Sequence, residues 1–204
     1  MSASSIDFWF TMGSTYTCLT ALRLADVAEH SGLTFNWRPF DFRTLLRERN
    51  YSPFPPQSPK TAYMWRDIER RAGMYGFEMR VPAPYPVADS WHANCVALLG
   101  MQEGWGPDFV AAAYRRWFLF REENGGEPNL RVALTEAGQN YDRVIPIARS
   151  DKLRRDLELQ TDEARRLRLV GSPTFIVAGE MFWGDDRLQD AIDWAKHGRV
   201  VGCG

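Results

Sequence analysis

Ile6-Asp7-Phe8-Trp9-Phe10-Thr11 and Leu33-Thr34-Phe35-Asn36-Trp37-Arg38, joined by a segment of helical period that opens at Gly13-Ser14, decide the fold. In the first stretch Ile6, Phe8 and Phe10 alternate, and Trp9 makes the other side apolar as well, the pattern of a strand covered on both faces. Gly13-Ser14 then turns the chain into a helix. Its apolar residues Cys18, Ala21, Leu22 and Ala25 recur at helical spacing, and the run closes at Ser31-Gly32, where glycine takes a left-handed cap without strain. The second stretch alternates strictly. Two strands with one crossover helix between them imply a parallel pair.

Past Phe42 the period changes. A proline-rich loop (Pro53, Pro55, Pro56, Pro59) leads into segments of helical period only. Ala62, Trp65, Ile68, Ala72 and Tyr75 form one face, Trp91, Cys95, Leu98 and Leu99 a second, and Val110, Ala113, Tyr114 and Trp117 a third. A shorter helix is expected over 130–137 and a long one over 151–168. The long one carries 11 charged residues in 18, five acidic and six basic, a solvated face with expected pairs Asp151/Arg155 and Asp162/Arg166. Thr174-Phe175-Ile176-Val177 and Met181-Phe182-Trp183 around Ala178-Gly179-Glu180 read as a hairpin, and Leu188, Ala191, Ile192 and Ala195 mark a last helix. The order β-α-β, helices, β-β-α is that of an α/β, thioredoxin-like fold with an inserted all-helical domain. Its halves are placed at 1–44 and 169–204, with the insertion at 45–168.

Composition limits the function. The 204 residues hold 25 Lys+Arg against 26 Asp+Glu, so no net basic field exists to attract nucleic acid or anionic lipid. The first five residues contain no Lys or Arg, and the apolar stretch after them is broken by Asp7 and stops at Gly13, too short for a signal core. Without a long uncharged apolar run, a soluble cytoplasmic protein is expected. The cysteines are Cys18, Cys95 and Cys203, with no Cys-x-x-Cys and no histidine at metal-ligand spacing, so neither a dithiol couple nor a zinc site is encoded locally. His30, His92 and His197 read as surface or core residues.

Three short segments carry the candidate chemistry: Gly13-Ser14-Thr15, Gly171-Ser172-Pro173-Thr174-Phe175, and Trp183-Gly184-Asp185-Asp186-Arg187. The topology brings all three to the N-terminus of the first helix. That end concentrates unpaired N–H groups and partial positive charge, which favours an anion such as a thiolate, and a Ser14 hydroxyl adds a donor. Ser14 also reads simply as a helix cap. Taken alone, Pro173 reads as a trans proline at a strand start, and Asp186 with Gln189 as a capping box. As site residues, Asp185 and Asp186 would receive an amino group.

Together with Asp7-Phe8-Trp9-Phe10, Pro59-Lys60, Tyr63, Asp67, Arg70 and Gly76, and the run Glu180 to Leu188, these segments resemble the 2-hydroxychromene-2-carboxylate isomerase family. That family is related to kappa-class glutathione transferases and DsbA-like thioredoxin-fold proteins. The resemblance spans the chain in order. It implies glutathione as cofactor, a homodimer, a small aromatic hydroxy-acid substrate and a cis peptide at Ser172-Pro173. Residue by residue it implies that Ser14 hydrogen-bonds the glutathione sulfur, that Ser172, beside Pro173, pairs with the cysteinyl part, that Asp185 and Asp186 meet the γ-glutamyl end, and that Lys60 lies near the tripeptide. Thr11, Thr15 and Ser172 depart from the common aspartate, proline and valine. The implied reaction is a cis-trans isomerisation in which a thiolate adds to an unsaturated carbon and later leaves. A kappa-like transferase or peroxidase, or a glutathione-binding protein without turnover, would use the same site. Ser14-Thr15-Tyr16-Thr17 in place of Cys-x-x-Cys argues against a disulfide oxidoreductase.

Overall fold

The computed structural model describes residues 5–201. Its sheet runs in the order β2-β1-β3-β4, from β1 (Ser5–Phe10), β2 (Thr34–Pro39), β3 (Thr174–Val177) and β4 (Glu180–Trp183). β1 and β2 are parallel, with Phe8 beside Trp37, while β3 is antiparallel to β1, with Phe175 opposite Phe8. Ile6, Phe8 and Phe10 enter the main core, and Trp9 turns the other way onto Phe40, Leu45, Ala164 and Leu169. The double coverage expected for β1 is therefore met by two separate apolar clusters.

The crossover is two helices rather than one. α1 (Thr15–Ala21) and α2 (Leu24–Ser31) are separated at Leu22-Arg23, and α2 ends at Gly32 with φ 68°, the left-handed cap. No glycine or proline marks the break. Arg23 leaves the helical path, and its guanidinium lies 2.8 Å from the Asp185 carboxylate and 4.2 Å over the Tyr75 ring. Both partners are far away in sequence, so local periodicity carries no sign of it.

Between β2 and β3 lie α3 (Phe42–Glu48), α4 (Pro59–Met74), α5 (Ser90–Glu103), α6 (Gly106–Arg115), a π turn over Arg116–Phe120, α7 (Asn129–Glu136), α8 (Tyr141–Ala148) and α9 (Asp151–Arg166); α10 (Leu188–His197) closes the chain. α3 and α8 are additions to the sequence reading. α3 starts on an Asp41 cap directly after β2, and α8, capped by Asn140, accommodates Pro146 within the helix. α5 is buried nearly all round over Ser90–Gly100 rather than along one face, because it packs on β2, α6, α8 and α9. The surface pairs on α9 also differ from those expected. Lys152 pairs with Asp156, Arg166 with Glu163, and Arg165 reaches both Asp162 and Glu48 on α3. Side chains of the sheet and of α5–α8 merge into one core.

Candidate active site

The loop after β1 is fixed before any ligand is considered. Met12 N–H donates to Asn94 Oδ1 on α5 at 2.8 Å, the Tyr114 hydroxyl of α6 donates to the Thr11 carbonyl at 3.0 Å, and Asn124 Nδ2 donates to the Met12 carbonyl at 2.8 Å. These three side chains are fully buried. Buried amides cost free energy when unpaired, so the helical segment holds the loop by giving its backbone partners.

Ser14 is the N-cap of α1, where its Oγ accepts from Thr17 N–H at 3.3 Å and donates to the Ser172 carbonyl at 2.8 Å. It is thus both cap and link between loops. The Ser172 side chain takes Thr11 N–H at 3.0 Å and meets Thr17 Oγ1 at 2.8 Å. The Ser172-Pro173 bond is cis, as the resemblance implies and contrary to the trans reading of the residues alone. The Pro173 carbonyl accepts Gly184 N–H at 2.9 Å, which ties this turn to the acidic loop.

The two aspartates of that loop have different surroundings. Asp185 is 2% exposed and accepts from Thr20 Oγ1 at 2.9 Å, Arg23 at 2.8 Å and the Tyr75 hydroxyl at 3.0 Å. Burial, then Asp185, pushes the Tyr75 hydroxyl up. Asp186 is more open, 3.1 Å from Arg187 and 3.9 Å from Arg71. The Asp186–Gln189 capping box does not form: Arg187 occupies the N-cap of α10 without a side-chain cap bond, and Gln189 turns to Asp193.

Ser14, Ser172, Pro173, Asp185 and Asp186 all line one cleft of about 570 Å³. Lys60 does not line it. At the start of α4 it points to the Tyr51 hydroxyl at 3.2 Å, and Tyr51 is a cleft residue. The cleft also holds residues that sequence reasoning missed as site residues: Tyr16, Arg71, and Arg43 and Arg47 on α3. Only an earlier recognition of the Asp41 cap would have placed the last two on one helix face. The Tyr16 hydroxyl donates to Asp67 at 3.1 Å, and burial first, then Asp67, raises it well beyond the ordinary phenol range. No histidine lines the cleft. Cys18 is fully buried, and burial reinforced by Asp185 pushes its thiol well up; Cys203 lies outside the described residues.

A family model described as DSBA-like thioredoxin domain matches residues 5–193. A 2-hydroxychromene-2-carboxylate isomerase from Sphingobium xenophagum is 29% identical over 186 residues, covering 90% of this chain and 94% of that protein. A protein of the same name from Pseudomonas putida is 29% identical over 191 residues, covering 90% of each. Among solved structures, a 2-hydroxychromene-2-carboxylate isomerase superposes with a TM-score of 0.79 at 22% identity over 90% of each chain. The cytosolic disulfide reductase DsbM from Pseudomonas aeruginosa with GSH superposes at 0.64 and 16% identity, over 94% of this chain and 95% of that one. No helix among the described residues is long and apolar enough to cross a membrane.

Proposed function

We propose a glutathione-dependent cis-trans isomerisation of a chromene carboxylate or similar aromatic hydroxy acid for this chain, which belongs to the DSBA-like thioredoxin-domain family. The isomerase class follows the relatives of that name that align with 90% of the chain. The cofactor and the role of Ser14 are our reading of the cleft. One observation carries it: Ser14 and Ser172 meet at the N-terminus of α1 and share one cleft with Asp186, and Ser14-Thr15-Tyr16-Thr17 holds no cysteine for disulfide exchange.

The donor set fits glutathione. The Ser172 carbonyl beside Pro173 offers an acceptor for a cysteinyl N–H. Asp186 offers a carboxylate for an ammonium, and Arg71, unlike Lys60, stands in the cleft as a cation for one of the tripeptide's carboxylates. Gly184 has φ 118°, and a Cβ there would come within 2.5 Å of Asp186 Oδ1, so the bare backbone lets that carboxylate keep its place. Asp185, with both oxygens engaged by Thr20, Arg23 and Tyr75, shapes the loop that presents Asp186.

When bound, glutathione would supply a thiolate that adds reversibly to an unsaturated carbon, turns a double bond into a single bond able to rotate, and then departs. The protein's part is electrostatic. The Ser172 carbonyl has a second lone pair for a ligand N–H, and the Ser14 hydroxyl, which donates its one proton to that carbonyl at 2.8 Å, would rotate away from it to face a sulfur anion. The first-turn amides of α1 add their partial positive charge. Tyr16 stays protonated beside Asp67. The chain's own buried thiols take no part. A cytoplasmic location, where glutathione is kept reduced, and a homodimer complete the proposal.

The test is an absorbance assay of a chromene carboxylate with glutathione far below the substrate concentration. Complete conversion with glutathione recovered supports the proposal. Loss of glutathione in step with product points to transferase or peroxidase chemistry, and equal rates with and without glutathione refute the cofactor.

A further inference from the structure

The lining of the cleft is mixed in character. It includes Ser14, Ser172, Asp185 and Asp186, and α3 with the proline-rich loop after it contributes Phe42, Leu46, Tyr51 and Phe54. Val170 and Trp183, also lining the cleft, are 49% and 56% exposed. Large apolar side chains left open inside a concave site suit an aromatic ligand. A Cβ on Gly171 would come within 1.9 Å of the Trp183 indole nitrogen, so glycine is what lets the ring lie over this turn.

The cations along the cleft are not equivalent. Arg71 is 3.3 Å from Asp67 and 3.9 Å from Asp186, and Arg187 is paired with Asp186 and Asp190. Arg43 is occupied by main chain, donating to the carbonyls of Val87 and Ala88. Arg47 lies one helical turn further along α3, and among the described residues no carboxylate stands within 4.0 Å of it. Its helix is held firmly. Leu45 is buried, Asp41 N–H donates to Thr161 of α9 at 3.0 Å, and Glu48 pairs with Arg165 of α9 at 2.7 Å. An exposed guanidinium without a carboxylate partner among the described residues, on a fixed helix and lining the same cleft as these apolar side chains, is available to receive one carboxylate attached to a ring.

We infer that Arg47 is the specificity-determining anchor for the carboxylate of an aromatic-acid substrate whose ring lies among the apolar residues of the cleft. The inference rests on the isomerase reading for the identity of the acid and adds the residue that selects an anionic acceptor over a neutral one. Arg47 also lies in the last turn of α3, where a cation complements the helix dipole; that role alone would give no preference among ligands.

Calorimetric titration of the wild-type protein, Arg47→Gln and Arg47→Lys with a chromene-2-carboxylate, its methyl ester and glutathione tests it. Wild type should bind the acid more tightly than the ester. Arg47→Gln should weaken the acid by about tenfold to a hundredfold, the scale of a hydrogen bond to a charged group, and leave ester and glutathione unchanged. Arg47→Lys should restore part of the loss. An acid-to-ester ratio that is near one in wild type, or unaltered in Arg47→Gln, overturns the inference, as does a loss confined to glutathione. The readout is binding, so an acid-selective site without turnover would count against the isomerase reading alone, and glutathione-dependent turnover indifferent to Arg47→Gln would count against the anchor alone.

Discussion

Arg23 shows most clearly how one residue serves both fold and site. Its guanidinium, just past the end of α1, stacks on Tyr75 and pairs with Asp185, whose side chain is only 1% exposed. Removing one partner of a buried pair leaves the other charge uncompensated, so Arg23→Ala should lose about 3–5 kcal/mol in a urea unfolding experiment. A loss under about 1 kcal/mol would mean that water or another donor reaches Asp185. The cysteines give a chemical check at the same scale. Burial raises both described thiols, Cys95 to about 12, so few thiolates exist at neutral pH. In a Cys203→Ser protein, alkylation of Cys18 and Cys95 should therefore wait for unfolding; rapid labelling of the native protein would contradict the structure. Ser14, Ser172, Pro173 and the aspartate pair were legible as candidates because each sits where strand, turn and helix signals change. The distinct surroundings of Asp185 and Asp186 were not, since they depend on Thr20, Arg23 and Tyr75, brought in from up to 165 positions away.

Among the elements, α5 connects the helical segment to the chemistry. Asn94 holds Met12 N–H and the Thr11 side chain, so Asn94→Ala should strand a buried amide and cost about 1–3 kcal/mol, with a fall in turnover as the loop before Ser14 loosens. Stability and rate measured on the same preparation test this, and a stability loss with unchanged turnover would separate the loop from catalysis. At its other end α5 is tied to α8, where Arg143 lies 2.7 Å from Glu103. Hydrogen bonds from Arg143 and then Trp105 bring the Glu103 carboxyl down to about 2. Its folded value is thus below an unfolded value of ~4.3, so its stabilisation is complete above ~4.3 and disappears as pH falls toward 2. The pair is partly exposed, so Glu103→Gln should cost at most about 1 kcal/mol at pH 7 and flatten the acid limb of stability against pH. An acid limb identical to wild type would remove Glu103 from the account. α8 escaped the sequence reading, which placed no element between 137 and 151; it is only eight residues long and holds a proline. α3 escaped it because seven residues after a strand carry too little periodicity to stand out from a loop, and with α3 went Arg43 and Arg47.

For the whole molecule, the succession of strands along the chain and the parallel pairing of the first two were readable because strand alternation and helical period are local properties, while the break of the crossover into α1 and α2 was not. The site needed closure. Residues 14, 47, 172 and 186, far apart in sequence, line one cleft in a fold whose sheet runs β2-β1-β3-β4. A ligand that binds this closed arrangement and not the unfolded chain must stabilise it; glutathione at a hundred times its Kd adds ~2.7 kcal/mol, roughly 5–10 °C in Tm for a chain of this length. No shift at millimolar glutathione would remove the cofactor from the proposal. The most direct measurement is the thiolate absorbance of bound glutathione followed against pH in wild type and Ser14→Ala. If the α1 terminus and the Ser14 hydroxyl stabilise the anion, the bound thiol should titrate well below its free value of ~8.5, and Ser14→Ala should move it back toward that value while cutting turnover about tenfold to a hundredfold at neutral pH. A bound thiol that titrates at its free value in both proteins, with Ser14→Ala showing only the ~1 kcal/mol loss of a helix cap, would contradict the account.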